Sequence, residues 1–195
     1  MHYLEESKKV IIVGIPGVGK TTLVSKIVEI LKAKQKSISV HSFGSVMLEE
    51  AKKNGIKDRD ELRKLPMEKQ TNLQKMAAQK IASLQDDLVI IDTHAFISTN
   101  AGFYPGLPNS VLQIIKPDNF ISVSARPEEI YNRRMKDSTR HRDLVSIESI
   151  KKELSVQDAM LSSCSVLSGS PMKTVLNAEG KVDEAAQSVI DAIEI

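Results

Sequence analysis

The residues Gly14-Ile15-Pro16-Gly17-Val18-Gly19-Lys20-Thr21 constrain this chain more than any others. They follow a short apolar run, Val10 to Val13. They precede a stretch from Lys20 to Lys34 in which Leu23, Val24, Ile27, Ile30 and Leu31 recur at helical spacing. A run that short and that rich in β-branched residues predicts a buried strand. The pattern G-x-x-x-x-G-K-[ST] between such a strand and such a helix is a phosphate-binding loop. Glycine lets the backbone turn tightly and approach an anion with no Cβ in the way. The amides from Gly14 to Thr22 then converge on phosphate at a helix N-terminus. Lys20 is expected on the β- and γ-phosphates of ATP, and the Thr21 hydroxyl on Mg²⁺. The loop implies nucleotide binding and leaves the following reaction open.

The remaining chain alternates in the same way. Strands are expected at Ser37–Ser42, with Ile38 and Val40 on one face, and at Leu88–Ile91, Phe120–Ser124 and Lys173–Leu176. Helices are expected at Ser45–Lys53, on both sides of Pro66 within Lys57–Ser83, at Pro127–Lys136, at Ser146 to about Leu167 and at Val182–Ile193. Asn54-Gly55 stops one helix, and Pro127 opens another at its first turn. The stretch Thr93–Pro108, rich in Gly, Pro, Ser and Thr, is expected to be a loop. Alternating strands and helices predict an α/β class with a parallel sheet covered on both faces. The five predicted strands make it a three-layer α/β/α sandwich, one domain spanning residues 1–195.

Composition narrows the partners. The net charge is +2, too small to make nucleic acid or a membrane surface the main partner. No apolar run reaches the roughly 20 residues of a membrane helix. The N-terminal MHYLEESKK lacks the apolar centre of a signal peptide. With a single cysteine, Cys164, no internal disulfide can form, which fits a reducing compartment. The expectation is cytoplasmic.

Four further features carry chemistry. Asp92 ends the apolar strand LVII, where an acid can hold Mg²⁺ directly or through water beside the loop. His94, two residues on, is a candidate substrate contact, and the histidines have no metal-site spacing. Arg59 and Arg63 stand four apart and share a helix face. Arg133, Arg134, Arg140 and Arg142 crowd one polar segment, RRMKDSTRHRD. Such crowding is unfavourable without anions, and arginine clamps phosphate bidentately. These four are candidate catalytic cations of a lid closing over transferring phosphates, alongside Lys20.

With those pieces in place, the chain resembles the archaeal-type adenylate kinases. The matching segments are GIPGVGKTT (14–22), FGSVMLEEA (43–51), DRDELRKL (58–65), IDTHAFI (91–97), GFYPGLP (102–108), RRMKDSTRHRD (133–143) and VLSGSPMKTVLN (166–177). They run through nearly the whole chain in order. The resemblance implies reversible Mg²⁺-dependent phosphoryl transfer between ATP and AMP. It implies a helical monophosphate-binding region over 43–84, with Phe43, Gly44 and Ser45 as substrate contacts, and a short lid over 133–143. It also implies a homo-oligomer, a trimer in many members. The Asp-Gly-Phe-Pro-Arg stretch of the commoner bacterial and eukaryotic enzymes is absent. Asp92-Thr93-His94 stands in its place, and Phe43-Gly44-Ser45 replaces their Thr-Gly-Asp. Arg59 and Arg63 are therefore the candidates for the AMP phosphate. The alternatives are another nucleoside monophosphate kinase and an adenylate-kinase-like ATPase acting in ribosome or RNA assembly. A third alternative, a GTP-driven switch, is disfavoured by the lack of an Asn-Lys-x-Asp element.

Overall fold

The computed structural model describes residues 7–99, 101–136 and 146–195, without the side chain of Arg63. In chain order the elements are β1 (Lys8–Val13), α1 (Lys20–Ala33), β2 (Ile38–Ser42), α2 (Phe43–Lys53), α3 (Arg59–Arg63), α4 (Met67–Ala82), β3 (Leu88–Thr93), β4 (Phe96–Thr99), β5 (Gly102–Pro105), α5 (Asn109–Ile115), β6 (Asn119–Ser124), α6 (Pro127–Lys136), α7 (Ile147–Ser168), β7 (Met172–Leu176) and α8 (Val182–Ile193). The sheet order is β2-β3-β1-β6-β7, and every pairing is parallel.

The apolar strands are buried on both faces, and their residues divide by parity. Val10, Ile12, Leu88, Ile90, Ile121 and Val123 enter one core with α1, α8 and Ile130 of α6. Ile11, Val13, Val89, Ile91 and Phe120 enter the other with α2, α4 and α5. Helix α7 serves both, giving Ile150 to the first and Leu161 and Cys164 to the second. Full burial of one such side chain stabilises by roughly 1.5–3 kcal/mol. The three interior strands β3, β1 and β6 concentrate that burial. On the edge strand β2, Val40 remains 42% exposed.

The start of β2 is tied to the start of β3 by a reciprocal clasp. Ser37 N donates to Asp87 Oδ2 at 2.8 Å, and Asp87 N donates to Ser37 Oγ at 2.8 Å. The amide and hydroxyl of Ser37 hold the exposed Asp87 carboxyl below its ordinary pKa.

The chain passes from β1 out to β2 on one side and later to β6 on the other. The order of strands therefore reverses at β1, and ligands of open α/β sheets bind outside the carboxyl ends of the strands at such a point. The phosphate loop and Asp92 both lie at that end. The register pairs Ile12 with Asp92 and Val13 with Thr93, so the acid flanks the entry to the loop.

Two segments depart from expectation. The expected loop 93–108 contains the antiparallel hairpin β4–β5, closed by an edge-to-face pair of Phe96 and Phe103 with centroids 5.1 Å apart. Helix α5, a two-turn helix that buries Val111, Leu112 and Ile115, has no counterpart among the expected elements. Both elements are too short to set up a period that composition does not mask. Helix α2 begins at Phe43, two residues before the expected start, because Phe43 itself is buried against the sheet.

Candidate active site

Gly17 and Gly19 adopt φ of 92° and 83°, the left-handed region that an L side chain enters at a cost. Between them the loop turns and delivers the chain into α1, with Gly19 at the N-cap position. The first amides of a helix have no partner within it. No acidic residue stands in the first turn of α1 to compete for them or for the positive end of the dipole. Ile15 and Val18 are buried and anchor the loop, while Thr21 and Thr22 are exposed at the helix start.

The outer side of the loop is held by three side chains from distant parts of the chain. Arg134 Nε donates to Pro16 O at 2.7 Å, and Arg133 Nη1 to Gly17 O at 3.3 Å. Asn177 Nδ2 donates to Val18 O at 2.9 Å and Gly19 O at 3.3 Å. Four successive loop carbonyls are thus drawn to the outside. Arg133 also reaches Asn177 O at 3.3 Å and pairs with Glu129 one helical turn back, 3.5 Å away. Arg134 is 6% exposed and is braced by Glu153 of α7 at 2.7 Å.

Inside the site, Lys20 Nζ lies 2.5 Å from Asp92 Oδ1 and donates to Thr93 O at 2.6 Å. Burial lowers the Lys20 pKa, and the Asp92 carboxylate works against that shift. Asp92 Oδ1 is itself sealed from solvent without a hydrogen bond, so the ammonium is its counter-charge. Asp92 thereby holds a cation at the mouth of the loop. His94 follows on the exposed turn after β3.

A second group gathers at the N-terminus of α2. Phe43 is turned into the core, so it can reach a ligand only through its backbone. Gly44 is exposed, and a Cβ added there would meet nothing within 4 Å. Arg59, at the start of α3, donates to Ser45 Oγ at 3.1 Å. Arg63 ends α3, and its side chain lies outside the described residues. Arg140 and Arg142, in the part of the expected lid 133–143 that follows Lys136, also lie outside them. The structure therefore brings Lys20, Thr21 and Asp92 to one end of the sheet and Arg59 to Ser45. It sets Arg133 and Arg134 behind the loop, against its carbonyls.

Sequence reasoning missed Asn177 and Glu153. Asn177 closes the segment VLSGSPMKTVLN but belongs to no spacing motif. Its contact with Val18 spans 159 positions. Only the fold joins them.

A strand, a loop of this geometry and a helix under a parallel sheet define a P-loop nucleotide-binding protein. The AAA domain family model matches residues 13–151. The solved shikimate kinase from Acinetobacter baumannii in complex with shikimate superposes with a TM-score of 0.61 at 15% identity, over 98% of this chain and 95% of that one. That likeness is one of fold. Among curated proteins, the chain is 40% identical over 191 residues to adenylate kinase from Methanocaldococcus jannaschii, 97% of this chain and 100% of that one. It is also 40% identical over 186 residues to adenylate kinase from Thermoplasma acidophilum, 95% of this chain and 98% of that one. The chain belongs to the adenylate kinases.

Proposed function

We propose that the site transfers the terminal phosphoryl group of ATP to AMP, reversibly, giving two ADP. The observation that carries it is the junction of β1 and β3, where Lys20 and Asp92 meet at the mouth of a loop whose carbonyls are turned away. An oxygen of the AMP phosphate bonds to the γ-phosphorus as the bond to the β–γ bridging oxygen breaks, and ADP leaves. Such transfer asks the protein for positioning and charge more than for covalent chemistry. The loop amides and Lys20 hold the ATP phosphates. When ATP arrives, Lys20 exchanges part of its pairing with Asp92 for the phosphates.

Among the described residues no group of three or more His, Cys, Asp or Glu could cage a metal. That suits Mg²⁺, which commonly keeps its waters and takes one or two protein ligands plus substrate phosphates. The Asp92 carboxylate, whose side chain is 31% exposed although Oδ1 faces Lys20, and the exposed Thr21 hydroxyl fit that role. Bound there, Mg²⁺ would neutralise charge on the β- and γ-phosphates.

The N-terminus of α2, free of acidic residues in its first turn, and Arg59 receive the AMP phosphate. Gly44, Ser45, Arg63 and His94 complete that side. Arg133 and Arg134 act on the transferring group by holding the loop, and Arg140 and Arg142 act from the lid. The resemblance to the archaeal-type adenylate kinases supports a cytoplasmic homotrimer. Light scattering in solution tests the trimer, and a monomeric mass would remove it. No helix among the described residues is long and apolar enough to cross a membrane.

The test is to mix the protein with ATP, Mg²⁺ and each nucleoside monophosphate in turn and quantify diphosphates. Rapid ADP formation with AMP, and much slower turnover with the others, is expected. Preference for another monophosphate would reassign the acceptor. Slow ATP hydrolysis with no acceptor would favour the assembly ATPase.

A further inference from the structure

We infer that Asn177 is a positioning residue for ATP, acting through the outer face of the phosphate loop. The inference rests on the proposed kinase function. Asn177 follows β7 directly and is 5% exposed. Its backbone amide donates to Ser124 O at 2.8 Å, which fixes it to the end of β6. From that anchor its side-chain amide reaches two consecutive carbonyls of the loop, Val18 O and Gly19 O. A peptide whose carbonyl points outward presents its amide the opposite way. The Gly19 carbonyl also accepts the first helical bond of α1, from Leu23 N at 3.1 Å, so the peptide that depends on Asn177 is the one before it: holding Val18 O outside aims the amide of Gly19 at the phosphate position. The Asn177 carbonyl in turn accepts from Arg133, whose other nitrogen holds Gly17 O. The loop, β7 and α6 are joined through this one residue.

The fit is close on both sides. A Cβ on Gly19 would come within 2.5 Å of Asn177 Nδ2, so the last glycine of the loop is required by Asn177 as well as by its own φ. A buried amide donating to two carbonyls cannot be replaced by a carboxylate of the same shape. Aspartate accepts where asparagine donates, and it would set a negative charge beside the ATP phosphates.

A merely structural asparagine would lower stability and leave the two substrates alike. A positioning asparagine separates them, because the loop binds ATP and α2 binds AMP. The experiment measures ATP affinity by calorimetry and KM for ATP and AMP by steady-state kinetics, with melting temperatures, for the parent chain, Asn177→Ala and Asn177→Asp. For Asn177→Ala, the ATP Kd and KM should rise about tenfold or more, with kcat reduced and the AMP KM within about twofold of the parent; about tenfold is a 1.4 kcal/mol loss. Asn177→Asp should be worse for ATP while keeping a cooperative melt. Parent-like ATP binding in both variants overturns the inference alone, as does an equal rise in both KM values. Failure of both variants to fold also overturns it, since Asn177 would then serve the core. If the parent itself binds no ATP, the proposed function falls, and this inference with it.

Discussion

The two regions proposed to take the substrates are held in different ways. The phosphate loop is tied from outside by Arg133, Arg134 and Asn177, which come from two other elements and are themselves braced by Glu129, Glu153 and the end of β6. The helical segment α2–α4 rests on the sheet through Phe43, Val46, Met47, Leu73, Ala77 and Ile81. Its polar fastenings are Lys80 to the exposed Glu49 at 2.6 Å, Lys53 at the surface to the buried Glu50 at 2.7 Å, and Arg59 to the Ser45 hydroxyl. A loop that must present amides to phosphate gains from being rigid before the ligand arrives. A region that must admit a second substrate and then close gains from fastenings that are individually weak. The contrast predicts that damage to the loop acts on ATP, while damage to the insertion acts on AMP.

Lys20→Ala should show the largest effect. It removes the cation of the loop and leaves the Asp92 carboxylate without its counter-charge. Loss of one preorganised donor at a site of developing charge typically costs about 100–1,000-fold in kcat. The fold should persist, because Lys20 lies at the edge of the core. Full activity of the variant in a coupled ADP assay would break the comparison at its root.

Arg134→Ala tests the rear of the loop. It frees Pro16 O and strips the half-buried Glu153 of its partner. An unsatisfied buried group costs about 1–3 kcal/mol. At roughly 2–4 °C per kcal/mol for a chain of this size, the melting temperature should fall by several degrees. The ATP KM should rise more than the AMP KM. If AMP is the substrate affected, the loop and the insertion are not separate in the way described.

Arg59→Ala is the mirror experiment. The AMP KM should rise by about tenfold, the loss of one charge-assisted contact worth about 1.4 kcal/mol, with ATP affinity near that of the parent. A variant with unchanged AMP kinetics would move the monophosphate site away from the α2–α3 corner.

The same contrast explains what could be read from the sequence. The loop is contiguous and its spacing is dictated by the ligand, so residues 14–22 and the Asp92 strand end were legible, as were the five strands of the sheet. The parity of the core was not, because strands buried on both faces carry an unbroken apolar run. The hairpin β4–β5 looked like a loop: four-residue strands flanked by Gly and Pro leave little alternation to detect. Arginine crowding at 133–134 pointed to anions. Yet both guanidinium groups bind loop carbonyls, since like charges can also be satisfied by outward-turned backbone oxygens. Asn177 and Glu153 had no local signal at all. Their partners lie 159 and 19 positions away.

The smallest expected effect lies in the insertion's surface charges. Lys80→Ala removes the ammonium that lies 2.6 Å from Glu49 and 3.8 Å from the buried Glu50, which keeps Lys53 at 2.7 Å. Exposed pairs contribute little and are screened by salt, so the melting temperature should shift by no more than about 2 °C, and less in high salt. The hydrogen bond to Lys80 lowers the Glu49 pKa, and the same bond raises that of Lys80. The Glu49 side of the pair is present above the ordinary carboxylate pKa and is lost as pH falls through its depressed value in the fold. The Lys80 side is present below the ordinary ammonium pKa and is lost as pH rises through its raised value. Parent and variant should therefore differ most near neutrality and converge in acid. A shift of many degrees, or one that salt leaves untouched, would show that α2 and α4 are locked together as firmly as the loop, and the asymmetry between the two substrate regions would have to be withdrawn.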